Sequence, residues 1–459
     1  MPMFPRTISP LAFCVTGLSW LALASIPGMA SLAGLVQGTP LPSWVGALHA
    51  HAVLVGGVTQ IIFGGFLLLI PPPSSATRKE ADFHPFTFWM MNGGLIGMLV
   101  GFWLHRYAVV GAAGFVAMAA FVSVIYAIGI RANRTWKFSI KDSWYYALSL
   151  LCLVGGSVCG EMMAFGFVPE SYGYVRLAHI HLVVLGFVVL AILGMVDHLL
   201  PAIWNRPSLS PELARTGLTL MPIGMAVLIW GFLHSSVRIE LAAGAILFMG
   251  GIFWTGSLFR TWLSSTLTGS AASDHLFVSA FFLIFTIILG GLVGANHFSG
   301  LPVLPYGKLH LVAYTHMAFI GFVMNAIMGA CSHVIPITVA ASRIPNTKKR
   351  GSYLDQLNAI MNRWSTAQIA ALSLGTMGLG LVASLTWNVP LASVYIRVAM
   401  WTSLGLLMTG LVLFSVKLTS IIAKKPKRLG TGQASTEPIQ AHGLNLRQAD
   451  PLPDHGHRL

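Results

Sequence analysis

Residues 314–336 read YTHMAFIGFVMNAIMGACSHVIP, and the same frame occurs twice earlier in the chain. Residues 179–201 read HIHLVVLGFVVLAILGMVDHLLP, and residues 49–71 read HAHAVLVGGVTQIIFGGFLLLIP. The shared template is a histidine, a glycine five residues on, a glycine thirteen on and a proline twenty on. His51, Gly56, Gly64 and Pro71 carry it first, then His181, Gly186, Gly194 and Pro201, then His316, Gly321, Gly329 and Pro336. Two residues before each leading histidine stand His49, His179 and Tyr314. The second and third copies also share His198 and His333, where the first has Leu68. Each copy is apolar over the roughly 20 residues that a helix needs to cross a bilayer core of about 30 Å.

Working outward on that rule predicts twelve spans, near residues 9–35, 47–70, 85–104, 107–130, 144–168, 176–200, 214–234, 239–259, 275–295, 309–335, 364–387 and 392–416. The leading histidines are 130 and 135 residues apart, four spans each. The chain therefore reads as three four-helix units with the histidine helix second in each, a pseudo-threefold, all-α polytopic membrane protein. Arg6 and the small residues of the first span also fit a cleaved signal peptide, but the repeat needs that span as its first helix. Residues 1–424 form the membrane domain on this reading, and the polar residues 425–459 a disordered cytoplasmic tail.

Composition agrees. Of 459 residues, 55% are hydrophobic and 9% charged, with mean hydropathy +0.76. A soluble domain carries about 25% charged residues, so that class is excluded. The formal charge of +14 does not imply nucleic acid, because the basic residues lie in short connections between apolar spans. Twenty-two of the 27 Lys and Arg fall at the termini and even-numbered connections; Arg106, Arg176, Arg238, Lys308 and Arg397 are the exceptions. The positive-inside rule then places both termini in the cytoplasm of a bacterial inner membrane. Cys14, Cys152, Cys159 and Cys331 all lie in apolar stretches, so neither a disulfide framework nor a CxxC metal knuckle is expected.

That orientation gathers His49, His51, His105, His179, His181, His234, His297, His310 and His316 near the outer face. A single histidine at a helix end is most simply a packing residue. A repeated HxH inside hydrocarbon is different, because ionisable groups there are costly and mark functional sites. Imidazole is the commonest metal ligand and a usual axial ligand of haem. His198 and His333 lie about 25 Å further along their helices, a depth that would suit a second, inner haem.

At these residues the sequence resembles subunit I of the haem-copper oxidases, nearest the cbb-type oxidases and nitric oxide reductases. Residues 314–336 resemble that family's tenth helix. The resemblance implies a low-spin haem b held by His316 together with His51 or His49; the repeat favours His51, but the register is open. It implies Arg397 as a propionate partner. It would also put copper on His179, His181 and His234. The family's catalytic-haem ligand corresponds to Tyr314, where loss of the ligand is the simpler reading, although tyrosine can ligate haem iron. The family's second copper histidine on the seventh helix is absent from the stretch LHSSV, and its sixth-helix tyrosine has no counterpart. The resemblance thus implies a haem protein with a degraded binuclear centre, passing electrons from a quinol or cytochrome c toward O2, NO or a partner respiratory subunit. Two rivals stand beside it: a twelve-helix secondary carrier without haem, against which the direct threefold repeat counts, and a non-catalytic haem- or copper-binding accessory protein. No P-loop, dinucleotide fingerprint, zincin motif or nucleophile elbow is present.

Overall fold

Without water to bond the backbone, a chain this apolar must satisfy its amides internally, and helices do so segment by segment. The computed structural model describes residues 8–69, 85–135, 140–204, 206–264, 269–298, 307–386 and 388–426. Residues 1–7 and 427–459, which hold Arg6 and nearly all of the polar tail, lie outside the described residues, as does Pro71. Among the described residues there is no strand, and twelve helices are long and apolar enough to span a membrane.

The first unit comprises Pro10–Val36, Ser43–Leu69, Pro85–Trp103 and Tyr107–Thr135. The second comprises Ile140–Ala164, Tyr172–Trp204, Pro211–Leu233 and Val237–Leu263. The third comprises Ala271–Phe298, Leu309–Arg343, Ser365–Leu385 and Val394–Ala423. The fourth helix of each unit packs against the first helix of the next, and the twelfth helix closes the ring on the first. The second, sixth and tenth helices are 67, 67 and 72% buried over their most apolar window, against at most 50% for every other span. They therefore form an inner triad. The outer helices turn Leu23, Ile26, Phe115, Leu151 and Leu381 outward, as lipid contact requires.

The template glycines admit neighbouring helices. A Cβ at Gly64 would stand 2.5 Å from Cys14 Sγ and 2.9 Å from the Pro10 carbonyl; at Gly329 it would meet Leu276 and the Ala272 carbonyl; at Gly194, Tyr145. In every unit the glycine thirteen residues on thus seats the unit's own first helix. Between helices in lipid, such close contact replaces the hydrophobic effect as the source of association.

Three features differ from the sequence expectation. The sixth and tenth helices run past Pro201 and Pro336, beyond the expected span ends at residues 200 and 335, to Trp204 and Arg343. Neighbouring helices make an internal proline tolerable in a membrane. The basic connection after the tenth span is a helix, Thr347–Asn362, capped by the Asn346 side chain and burying Tyr353, Leu357 and Met361 along one face. Arg343 ties its start to the end of the twelfth helix, donating to the Tyr353 hydroxyl at 2.7 Å and to the Lys424 carbonyl. Third, each inner helix contains a π-helical segment: Ala52–Thr59, Leu182–Val189 and Met317–Met324. All three begin at the residue after the leading histidine. π turns are rare and concentrate at functional sites.

Gly64→Ala should therefore destabilise the protein by about 1–3 kcal/mol, the usual cost of overfilling a tight contact. Gly46→Ala, with open space around its Cβ position, should leave Tm in detergent unchanged or raise it. Equal Tm for the two variants would show that the Gly64 contact carries no weight.

Candidate functional site

At one end of the bundle, the inner helices present their HxH positions in two tiers. The second-position rings are held by their own helices. His51 Nδ1 lies 2.8 Å from the Ala47 carbonyl, His181 Nδ1 2.8 Å from that of Leu177, and His316 Nδ1 2.8 Å from that of Val312. The first-position rings are held by the first helix of their unit. His49 Nδ1 is 2.8 Å from the Ala24 carbonyl and His179 Nδ1 2.7 Å from that of Gly156.

A carbonyl only accepts, so in all five rings Nδ1 carries the proton and donates it. The lone pair of each neutral ring is then on Nε2, and among the described residues no hydrogen bond reaches any of these five Nε2 atoms. This is the outer-shell arrangement that fixes tautomer and ring direction in metal-ligating histidines. His275 provides the contrast: its Nδ1 bonds Asn325 Oδ1 at 2.8 Å and its Nε2 bonds Gln368 at 2.9 Å, so both nitrogens are used. It is a structural histidine.

Glycines and phenylalanines set the rings further. A Cβ at Gly28 would stand 2.6 Å from the His49 ring, at Gly160 3.2 Å from the His179 ring, and at Gly290 3.0 Å from the Tyr314 ring. Each of these glycines is on the first helix of its unit. For His49 and His179, the accepting carbonyl is one turn before the glycine on the same face. Phe102 covers His51 with ring centroids 4.8 Å apart, and Phe232 covers His181 at 4.8 Å. Both phenylalanines stand in matching helix-terminal turns. Arg106 N bonds the Gly101 carbonyl at 2.9 Å and Ser236 N the Gly231 carbonyl at 3.0 Å, with left-handed His105 and Ser235 at the bend.

The rings meet between units. His51 of the first unit faces His179 of the second, with centroids 6.3 Å apart and planes inclined by 21°. His49 lies within electrostatic reach of His316 of the third unit. The repeat favours His51 as the partner of His316, whereas His49 is the second-helix histidine within its electrostatic reach.

The other expected residues are more scattered. His234 is exposed at the end of the seventh helix and stacks on Trp230 at 4.0 Å. It forms no ligand set with His179 and His181, since no three His, Cys, Asp or Glu side chains converge as a metal site among the described residues. Arg397 is exposed on the first turn of the twelfth helix. Tyr314 is half-buried, and among the described residues no hydrogen bond reaches its hydroxyl. The His297 side chain lies outside the described residues, whereas the buried Nδ1 of His310 has no partner among them. No family model matches the chain, and neither does any of the curated proteins.

A buried polar chain was not anticipated from the sequence. Lys417 Nζ donates to Gln368 Oε1 at 2.6 Å, Gln368 Nε2 to His275 Nε2 at 2.9 Å, and His275 Nδ1 to Asn325 Oδ1 at 2.8 Å. Asn325 Nδ2 completes it on the Gly321 carbonyl at 2.8 Å. All four side chains are buried. They lie on the twelfth, eleventh, ninth and tenth helices, and every donor points away from the lysine. A shorter counterpart in the first unit joins Gln60, Asn92 and Trp20, with Gln60 Nε2 and Trp20 Nε1 each 2.9 Å from Asn92 Oδ1. Gln60 and Asn325 both stand nine residues after a leading histidine, the one sequence signal that pointed to these networks.

Gln368→Leu should cost about 1.5–3 kcal/mol, because it strips the acceptor from a buried ammonium group. Lys417→Met in the same chain should recover most of that loss, since an apolar side chain needs no partner. Thermal unfolding of both variants in detergent tests this; the same loss in single and double variants would deny the coupling.

Proposed function

We propose that this protein is an integral-membrane haem protein of the respiratory type, with His49 and His316 as the axial ligands of a low-spin haem b. The observation that carries the reading is the shared pose of the histidines: Nδ1 pinned to a backbone carbonyl and Nε2 without a hydrogen bond among the described residues. Neutral imidazoles with a fixed tautomer are the donors that haem iron takes. A haem held by His49 and His316 would supply one-electron transfer between ferric and ferrous iron.

The chain's residues have distinct tasks in that role. The Ala24 and Val312 carbonyls hold the two rings in direction and raise their basicity. Gly28 leaves room for the His49 ring against the first helix. The apolar bundle excludes water and lowers the local dielectric, which tunes the potential of a buried redox group. By this reading, the protein sits in a bacterial cytoplasmic membrane with both termini cytoplasmic. It takes electrons from a quinol or a cytochrome c and passes them toward O2, NO or a partner subunit. The alternative of a carrier has no comparable observation in its favour, since the spanning helices run unbroken through their π segments.

A dithionite-reduced minus oxidised spectrum of the purified protein should show sharp b-type α and Soret bands. His316→Ala and His49→Ala should each remove the same one haem per chain, with unaltered expression and chain mass. An unchanged haem content in either variant would withdraw the ligand assignment. A wild-type protein with no haem at all would withdraw the function.

A further inference from the structure

The basic end of the third unit is built for a different ligand, independent of any cofactor in the bundle. Arg343 closes the tenth helix, Lys348, Lys349 and Arg350 lie in the first turn of the connecting helix Thr347–Asn362, and Lys424 caps the twelfth. We infer that these five cations bind the phosphate headgroup of an anionic phospholipid at the membrane surface.

Hydrogen bonds hold the three helix ends together. Arg343 donates to the Tyr353 hydroxyl at 2.7 Å, to the Ile421 carbonyl at 3.5 Å and to the carbonyl of Lys424. The Tyr353 hydroxyl in turn donates to the Lys424 carbonyl at 2.5 Å. Arg350 donates through Nε to the Ile344 carbonyl and through Nη2 to that of Pro345, both at 3.1 Å. Neutral carbonyls orient a guanidinium but leave its full charge in place, since arginine does not deprotonate. None of the five cations joins an ion pair among the described residues. Asp355, the one acid of the connecting helix, is exposed. Residues 425–459 hold five Lys and Arg against three acids, so they bring no net negative charge. Like charges gathered in this way repel one another, and Lys348 and Lys349 stand at the positive end of their own helix dipole. An anion from outside the chain relieves both costs.

Depth selects what carries that anion. Arg343 and Lys424 stand at the ends of spanning helices, where hydrocarbon gives way to headgroups and long cationic side chains settle. The connecting helix buries Tyr353, Leu357 and Met361 and leaves Lys348 and Lys349 exposed, the posture of a helix lying along the interface. Just past its far end, Trp364 is exposed with the Arg363 guanidinium 4.1 Å from its ring centre. Tryptophan favours that same layer. Val416 and Ile422, on the last two turns of the twelfth helix, are exposed and offer apolar surface to an acyl chain. A soluble anion would gain nothing from that surface. Basic residues grouped beside the ends of spanning helices are the arrangement that holds anionic headgroups.

The full-length protein in a neutral detergent is titrated with dioleoylphosphatidylglycerol, dioleoylphosphatidylcholine or inorganic phosphate, and Tm and the lipid retained in native mass spectra are read. Phosphatidylglycerol should raise Tm saturably and remain bound, whereas phosphatidylcholine and inorganic phosphate should do neither. Each cation near the surface contributes about fivefold to the affinity for an anionic lipid. Lys348→Gln/Lys349→Gln/Lys424→Gln should therefore weaken phosphatidylglycerol binding about a hundredfold. These three side chains make no hydrogen bond among the described residues, so the lipid-free Tm should stay at the wild-type value. Where the triple variant is unstable, Lys348→Gln/Lys349→Gln alters exposed residues alone and should lose about twenty-five-fold. Arg106→Gln/Arg176→Gln/Arg238→Gln removes as much charge from the opposite ends of the helices and should change the affinity less than twofold. Equal losses in the two triple variants, or none in the lysine variants, overturn the inference. So does a wild type that retains no phosphatidylglycerol. A rise in Tm matched by phosphatidylcholine reduces the effect to apolar cover, and one matched by inorganic phosphate replaces the lipid with a soluble anion; either overturns it. Haem content enters none of these readouts, so the His49–His316 assignment stands or falls separately.

Discussion

Every polar atom inside this bundle has to find its partner within the protein, because the surrounding hydrocarbon offers none. Backbone amides meet that demand by forming helices. The histidine rings meet half of it by donating Nδ1–H to carbonyls, either one turn back on their own helix or across to the unit's first helix. The lysine at position 417 meets it through a relay of amides and an imidazole that ends on a backbone carbonyl. The Nε2 atoms of five histidines take no hydrogen bond among the described residues, and that is where chemistry can be located.

Helix association in lipid depends on close approach, and the recurrent glycines supply it at corresponding places in each unit. Gly64, Gly194 and Gly329 seat the unit's first helix against its second. Gly28, Gly160 and Gly290 do the same for the ring two residues before the leading histidine. The two sets divide the labour between holding the bundle together and making space for side chains. Because the inner helices need both, they are the most deeply buried of the twelve.

Much of this was legible in the sequence, and the illegible part has physical causes. Hydropathy and the His–Gly–Gly–Pro frame located all twelve spans and the three units, because length and apolar composition govern membrane insertion directly. The ends of the sixth and tenth helices were less legible, since a proline's missing amide matters less where neighbouring helices support the backbone and the helices run on past Pro201 and Pro336. His234 shared the predicted depth of the other histidines, but depth does not give azimuth, and its ring turned outward onto Trp230. His49 and His51 stand two residues apart on one helix, so their neighbours in the other units depend on how the ring closes, which one helix's sequence cannot encode. The acceptors of Nδ1 are backbone atoms and leave no letter at all. By contrast, the shared polar position of Gln60 and Asn325 was written in the repeat, beyond the four residues of its template.

His51 of the first unit faces His179 of the second, and His49 of the first lies within electrostatic reach of His316 of the third. Neither interaction falls inside one four-helix unit. A chain cut in the loops after the fourth and eighth spanning helices would yield three fragments, none of which carries either interaction by itself. In that sense the molecule is a trimer written as one polypeptide. Covalent fusion frees each interface to change by itself, as an identical trimer cannot, because there one codon dictates all three. Tyr314, where the other copies keep histidine, is the trace of that freedom.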